Sequence, residues 1–334
     1  MLQGHIDMVC VKAEGCPKDM AKDGLELRTD GEWVWAEQTT LGADNGIAVA
    51  MIFALLADHS LPHPPLEAVF TVDEETGMDG AFGLDCSDLK ARKLVNLDSE
   101  EEGIFTVSCA GGAGLDCFLP GKQEPLSGGT GCLLTLDGLL GGHSGAEIHK
   151  GRASANQVMG RVLYSAMERF PGLRLAEVQG GRFDNVICPK NQAKVAVPAG
   201  CEEAFAAFVQ EFDSVLKNEY TGCDSEITLS CEKTGLEHAL TQEDTSRVLH
   251  TLLALPQGVQ AMNVDFPGLV QTSLNLGVVK TEADRLLLRY SIRSSVGAEK
   301  EALVEQIRQA VRLEGALMEI NGDYPAWEYR KESP

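Results

Sequence analysis

Four short stretches of this 334-residue chain carry side chains that could do chemistry together. The first is His5-Ile6-Asp7. Residues two apart on a strand share a face, so imidazole and carboxylate point the same way. A metal-bound His usually donates its second N–H to such an oxygen; alone, the pair also reads as surface polarity. The second is Asp44, within Thr-Leu-Gly-Ala-Asp-Asn-Gly at 40–46. Asp44-Asn45 fits a helix N-cap, but capping does not account for an acid against so apolar a helix, with Gly42 and Gly46 admitting close approach. The third is Glu74-Glu75, after an apolar strand. Adjacent side chains diverge, so one can ligate a metal while the other reaches a water on it. That is the ligand and separate general base a metal hydrolase needs. The fourth is Asp98, after another apolar run, with Glu100, Glu101 and Glu102 behind it as a solvated acidic face. Nitrogen and oxygen donors without thiolate suit zinc, with cobalt and manganese as rivals. Several carboxylates suggest a two-metal site with one carboxylate bridging.

These residues need one sheet edge to bring them together. Residues 2–9 read as a short strand and 10–39 as loop around Trp33 and Trp35. Residues 47–57, Ala- and Leu-rich and apolar nearly all round, read as a buried helix, ended by Pro62, Pro64 and Pro65. Residues 66–72 and 93–98 read as strands. This is the α/β pattern, in which ligands bind beyond the carboxyl ends of strands. From Gly111 the texture changes. Gly-rich connections alternate with strand candidates at 130–137, 173–179, 192–198, 226–232, 274–280 and 285–293. Amphipathic helix candidates lie at 155–169, 202–219, 243–254 and 298–313. The expected organisation is a catalytic α/β domain over 1–110, an α+β domain with two βαβ-like halves over 111–323, and a return toward the first domain over 324–334, where Gly322-Asp323-Tyr324-Pro325 breaks the pattern.

Lys plus Arg number 28 against 50 Asp plus Glu, a net charge of −22. Such a surface repels phosphate backbones, which argues against a nucleic-acid role; most of these acids read as a solubility coat. The ten cysteines include no Cys-x-x-Cys pair and fit no zinc finger. Cys109, Cys117, Cys132 and Cys188 lie in apolar stretches, and the set reads as reduced, mostly buried thiols of a cytoplasmic protein. The N-terminus lacks the basic and apolar regions of a signal peptide, and no apolar run reaches the roughly 18 residues of a membrane span.

Gly-His-Ile-Asp at 4–7, the 40–46 stretch, Glu-Glu-Thr-Gly-Met-Asp-Gly-Ala at 74–81 and Asn-Leu-Asp-Ser-Glu-Glu-Glu-Gly at 96–103 resemble the di-zinc aminoacylase/carboxypeptidase peptidase superfamily, and most closely its aminoacyl-histidine dipeptidase family. So do Gly-Gly-His-Ser-Gly-Ala-Glu-Ile-His at 141–149, Phe-Asp-Asn-Val-Ile-Cys-Pro at 183–189 and Thr-Ser-Leu-Asn-Leu-Gly-Val-Val at 272–279. The resemblance runs over essentially the whole chain. It implies a zinc-peptidase-like catalytic domain, incomplete here, with an inserted α+β lid, hydrolysing Xaa-His and other dipeptides, and a homodimer as the candidate assembly. It implies that His5 and Asp98 bind one Zn2+, Asp44 bridges two, Glu75 binds the second, Glu74 is the general base and Asp7 orients His5. It also implies a cis Asp44–Asn45 peptide. In the lid, His143, by itself a loop His, would polarise the scissile carbonyl, while Asn185 and Arg293 would hold the substrate's C-terminal carboxylate. Strand alternation sets Leu286, Leu288, Tyr290 and Ile292 on one face and Arg289, Ser291 and Arg293 on the other. The guanidinium fork suits a carboxylate.

The resemblance also calls for a late metal-binding His and for strands ahead of His5. The histidines are His5, His59, His63, His143, His149, His238 and His250, and the last two lack the family's context. The chain therefore reads as a fragment of a longer dipeptidase, truncated at both ends. On that reading it binds at most one zinc tightly and hydrolyses Xaa-His dipeptides only negligibly. Two alternatives stand beside the dipeptidase: a non-catalytic remnant that associates through its lid, and an N-acyl amino acid deacylase of the same superfamily. The 142–149 stretch argues for the dipeptidase branch.

Overall fold

The computed structural model describes residues 1–99 and 101–332, so Glu100 lies outside the described residues. The chain divides into two compact units, Met1–Thr106 and Val107–Pro334.

The first unit is built on a three-stranded parallel sheet in the order Ala68–Thr71, Leu2–His5, Val95–Asn96. Parallel pairing puts all three carboxyl ends on one edge. The strands are shorter than the apolar runs that announce them. The 2–9 strand stops at His5, because past the Ile6 N–H, which still donates to the Thr71 carbonyl, the chain turns so that Asp7 meets the His5 ring. The helix Ala43–Ala57 lies against Leu2–His5 at Gly4, where a Cβ would sit 2.9 Å from the Ala48 Cβ. The expectation of a helix buried all round is wrong: only Asn45, Ala48 and Ile52 are buried, while Ile47, Met51 and Phe53 are at least half exposed. A three-stranded sheet covers one side of a helix, and apolar composition does not report how many sides are covered. Within 10–39, read as loop, Leu27–Thr29 pairs antiparallel with Val34–Ala36.

Among the described residues, the second unit has a nine-stranded sheet, whose main path runs Thr228–Lys233, Thr130–Asp137, Asn191–Val197, Arg174–Gly180, Val270–Thr281, Arg285–Ser294, Gly111–Pro120, Leu317–Tyr324; Gly258–Met262 pairs with Val270–Thr281. Neighbouring strands are antiparallel. The strands Thr130–Asp137 and Arg174–Gly180 flank Asn191–Val197 and are joined through the helix Ala155–Arg169. The strands Arg285–Ser294 and Leu317–Tyr324 flank Gly111–Pro120 and are joined through the helix Gly297–Leu313. Each half is a split βαβ unit. These helices, with Glu202–Glu219 and Gln242–Ala254, bury one stripe each in a shared core. Val158, Val162 and Ala166 show the spacing, and Phe170 meets Phe205 and Phe208 edge-on.

The Gly-rich stretch after 110, expected as a connection, is a ten-residue strand paired on both sides, with Leu115, Cys117 and Leu119 buried. At Gly112 a Cβ would meet the Tyr324 ring of the neighbouring strand, which would have to shift to admit it. The Arg285–Ser294 strand alternates as its pattern predicts, with Leu286, Leu288, Tyr290 and Ile292 buried. On its other face Arg289 grips Asp116 bidentately at 2.6 and 2.7 Å. All ten cysteines are free, but only Cys16, Cys117, Cys132 and Cys188 are buried; Cys109 is exposed. The apolar run around Cys109 leads into the sheet rather than lying in it. No helix of the described residues is long and apolar enough to cross a membrane.

Leu288→Ala should lower stability by about 2–5 kcal/mol through the lost transfer energy and the cavity left behind. Leu313→Ser, at a position 86% exposed, should stay within about 0.5 kcal/mol. Urea midpoints measure both.

Candidate metal centre

His5 ends the central strand of the first unit and is 1% exposed. Its Nδ1 lies 3.0 Å from the Asp7 carbonyl oxygen and 3.3 Å from Asp7 Oδ1. Its Nε2 lies 3.1 Å from Asp44 Oδ1 and 3.5 Å from Asp98 Oδ1. A neutral imidazole carries one N–H, so a ring with oxygens at both nitrogens is either doubly protonated or faces a cation. Ligand atoms of His5, Asp44 and Asp98 all lie within 4.8 Å of one another, and so do those of His5, Glu74 and Glu75. The elements explain the convergence. Glu74 and Glu75 open a short helical turn after the Ala68–Thr71 strand. Asp98 follows Val95–Asn96. Asp44 sits in the irregular first turn of its helix, and the Asp44–Asn45 peptide is cis.

Burial and neighbouring charge set the protonation of the cluster. Burial pushes the Asp98 carboxyl up to about 6 against the pull of His5, and the Asp44 and Glu74 charges push the same way. Burial likewise raises Glu74, opposed by His5 and reinforced by Glu75, Asp44 and Asp7. Burial would lower His5, but the Asp44 hydrogen bond and the Asp98, Glu74 and Asp7 charges outweigh it and raise its pKa. Asp7 behaves differently: despite burial it is held low by backbone N–H groups of Glu75 and Glu74, with Glu75 N 3.1 Å from Asp7 Oδ2. Its buried Oδ1 has no hydrogen-bond partner among the described residues and lies against the imidazole. A divalent cation among these donors would favour the ionised carboxylates and the neutral imidazole together. The residues therefore fit a metal.

Asn45 belongs to this site, and motif reading missed it. The Asp44-Asn45 pair does not cap the helix; Gly42 is the N-cap and no side chain caps it. Asn45 is buried, and its Nδ2 donates to the Leu97 carbonyl at 3.0 Å and to Asp98 Oδ1 at 2.7 Å. A capping residue and a residue reaching across the fold have the same local sequence, so no signal in the chain separates them.

His143, Asn185 and Arg293 belong to the second unit. Gly142–His143 pairs with Val186–Ile187, and the Ser144 N–H donates to the Asn185 carbonyl at 2.8 Å. Asn275, buried, brackets Asn185 by donating to the Asp184 and Val186 carbonyls at 2.7 and 2.8 Å. The backbone N–H groups of Gly145 and Ala146 donate to His143 Nδ1 at 3.2 and 3.1 Å, which leaves the ring proton on Nε2. A Cβ at Gly145 would lie 2.9 Å from His143 Cε1 and 3.2 Å from Arg293 Nε, so the two side chains flank that glycine. Arg293 Nε is buried and has no hydrogen-bond partner among the described residues.

Residues 134–222 match the peptidase dimerisation domain family. Over 336 aligned residues the chain is 38% identical to the cytosol non-specific dipeptidase of Escherichia coli K12, covering 100% of this chain and 69% of that protein. This chain belongs to the cytosol non-specific dipeptidase family. Its fold agrees with the solved aminoacylhistidine dipeptidase of Vibrio alginolyticus, with TM-score 0.89 and 37% identity over 100% of this chain and 68% of that one. The uncharacterized Bacillus subtilis protein YqjE is 24% identical over 220 residues, 64% of this chain and 52% of that protein. The family expected from the motifs, and its mixed α/β architecture with a lid, are thus shown.

In this dipeptidase-family chain the raised Asp98 pKa has a consequence for stability without metal. The folded state holds that proton more tightly than the unfolded chain does. Its contribution therefore favours folding at low pH and is lost as pH rises from the ordinary carboxyl value through about 6. Under chelator, Asp98→Asn should flatten the fall in melting temperature over that window and raise it near neutrality. An unchanged decline in the variant would assign the effect to another group.

Proposed function

We propose that these residues serve metal-dependent hydrolysis of dipeptides, Xaa-His among others. The observation that carries the reading is His5, with oxygen acceptors at both ring nitrogens and four carboxylates converging on it. Membership of a dipeptidase family supports it. His5, Asp44, Glu75 and Asp98 would hold the metal, zinc first, with cobalt or manganese as rivals for the same donors. When bound, the metal polarises the scissile carbonyl and lowers the pKa of water.

The chain's own groups do the rest. Asp7 fixes the His5 ring through Nδ1. Glu74 takes the proton from the attacking water and delivers it to the departing amine nitrogen. His143 donates from Nε2 to the oxygen that gains charge in the transition state. Arg293, whose Nε has no hydrogen-bond partner among the described residues, binds the dipeptide's C-terminal carboxylate, with Asn185 as its companion. We place the protein in the cytosol and propose a homodimer formed through the region matching the peptidase dimerisation domain.

With enzyme in excess, the zinc-loaded chain should release histidine from Xaa-His dipeptides in a single slow turnover, far below the rate of an intact dipeptidase, and chelation should stop it. Glu74→Gln should slow the reaction by about 10²–10⁴-fold while calorimetric zinc affinity stays unchanged. Turnover that survives Glu74→Gln would remove the general-base assignment. Cleavage of N-acetyl amino acids in place of dipeptides would overturn the substrate class.

A further inference from the structure

The turn that carries His143 is closed by a carboxylate that the catalytic reading does not use. Glu147 Oε2 accepts the His143 backbone N–H at 3.2 Å, and the Glu147 N–H donates to the His143 carbonyl at 2.9 Å. The same carboxylate is anchored through Oε1 by Lys150 Nζ at 2.8 Å and Arg152 Nη2 at 3.0 Å. Arg152 also donates to the Gly141 carbonyl, on the other side of His143. Gly142, at φ 133°, supplies the space: a Cβ there would strike both the Glu147 carboxylate and the Arg152 guanidinium. The Lys150 hydrogen bond, with that of the His143 N–H, holds Glu147 down to about 2, so its charge is present at any working pH. Inside the closed turn, the Gly145 and Ala146 N–H groups aim at His143 Nδ1.

We propose that Glu147 is a positioning residue for His143: its carboxylate pins the backbone so that two amides occupy Nδ1 and the imidazole presents Nε2–H alone. The proposal rests on the reading of His143 as the donor to the scissile carbonyl. Glu147 lies outside the hydrophobic core, so its removal is expected to act on the geometry of the turn.

The test uses the full chain labelled with ¹⁵N-histidine, the His143 signals being assigned by their loss in His143→Ala. The wild type should show a single Nε2–H tautomer. Glu147→Ala should convert it to a mixture of tautomers. Glu147→Gln, which keeps an oxygen for the His143 N–H, should retain most of the wild-type pattern. In zinc-loaded single-turnover hydrolysis of an Xaa-His dipeptide, Glu147→Ala should lower the rate by less than the roughly 10²–10³-fold that losing such a donor altogether costs, with little change in half-saturation. It should have no further effect in the His143→Ala background. An unchanged tautomer in Glu147→Ala, or an undiminished loss in that background, would overturn the proposal. If His143→Ala does not itself slow the reaction, the reading of His143 fails, and the tautomer spectra still decide whether Glu147 positions the ring.

Discussion

A buried imidazole between two oxygens is the constraint from which the first unit follows. His5 sits at the end of the central strand, and parallel pairing sends the neighbouring strands out on the same edge. Glu74, Glu75 and Asp98 are therefore delivered by register, without attraction among themselves. Burial, with their mutual repulsion added to it, raises the carboxyls of Asp98 and Glu74. A sheet edge and a helix start hold these donors in place, so their spacing is fixed by the fold. Asp7 differs from Asp98 and Glu74 because backbone N–H groups of Glu75 and Glu74 hold its carboxyl low, and it faces the ring nitrogen pointing away from Asp44 and Asp98.

The second unit positions its groups by a different physics. Its core is continuous across the sheet and four helices, and its site residues hang from backbone hydrogen bonds at the sheet's margin. His143 is fixed by two amides, Asn185 by the Ser144 N–H and the Asn275 bracket, and Arg293 by a strand whose other face is fully buried. Sites precise enough for recognition need such support from rigid elements. In the first unit charge sets where protons sit; in the second, backbone donors do, as at His143 Nδ1.

The legibility of these features in the chain follows the same division. The four helices of the second unit begin and end within a residue or so of where amphipathic spacing puts them, because each presents one stripe to one core. The Arg285–Ser294 strand was readable by alternation. The Gly111–Pro120 strand was not, because glycines carry no side chain to alternate, and Gly112 lies against a Tyr324 ring on another strand. The apolarity of residues 47–57 was legible, their exposure was not: composition reports a preference for leaving water, while burial depends on what lies opposite. The acids at strand ends were readable from motif and position. Asn45 and Glu147 were not, since each acts through a partner, one distant in sequence and one a backbone N–H.

Asn45 also explains why the helix start and the sheet edge must move together. Adjacent residues send their side chains apart, so Asp44 reaches His5 Nε2 at 3.1 Å while Asn45 reaches Asp98 at 2.7 Å. One dipeptide thereby sets the distances from the helix to two different strands. Gly4 makes this possible, because any side chain there would meet Asn45 and Ala48 and lift the helix from the sheet. The glycine before His5 thus belongs to the site mechanically. It fixes how closely the helix approaches, and through Asp44 and Asn45 that height fixes the spacing among His5, Asp44 and Asp98.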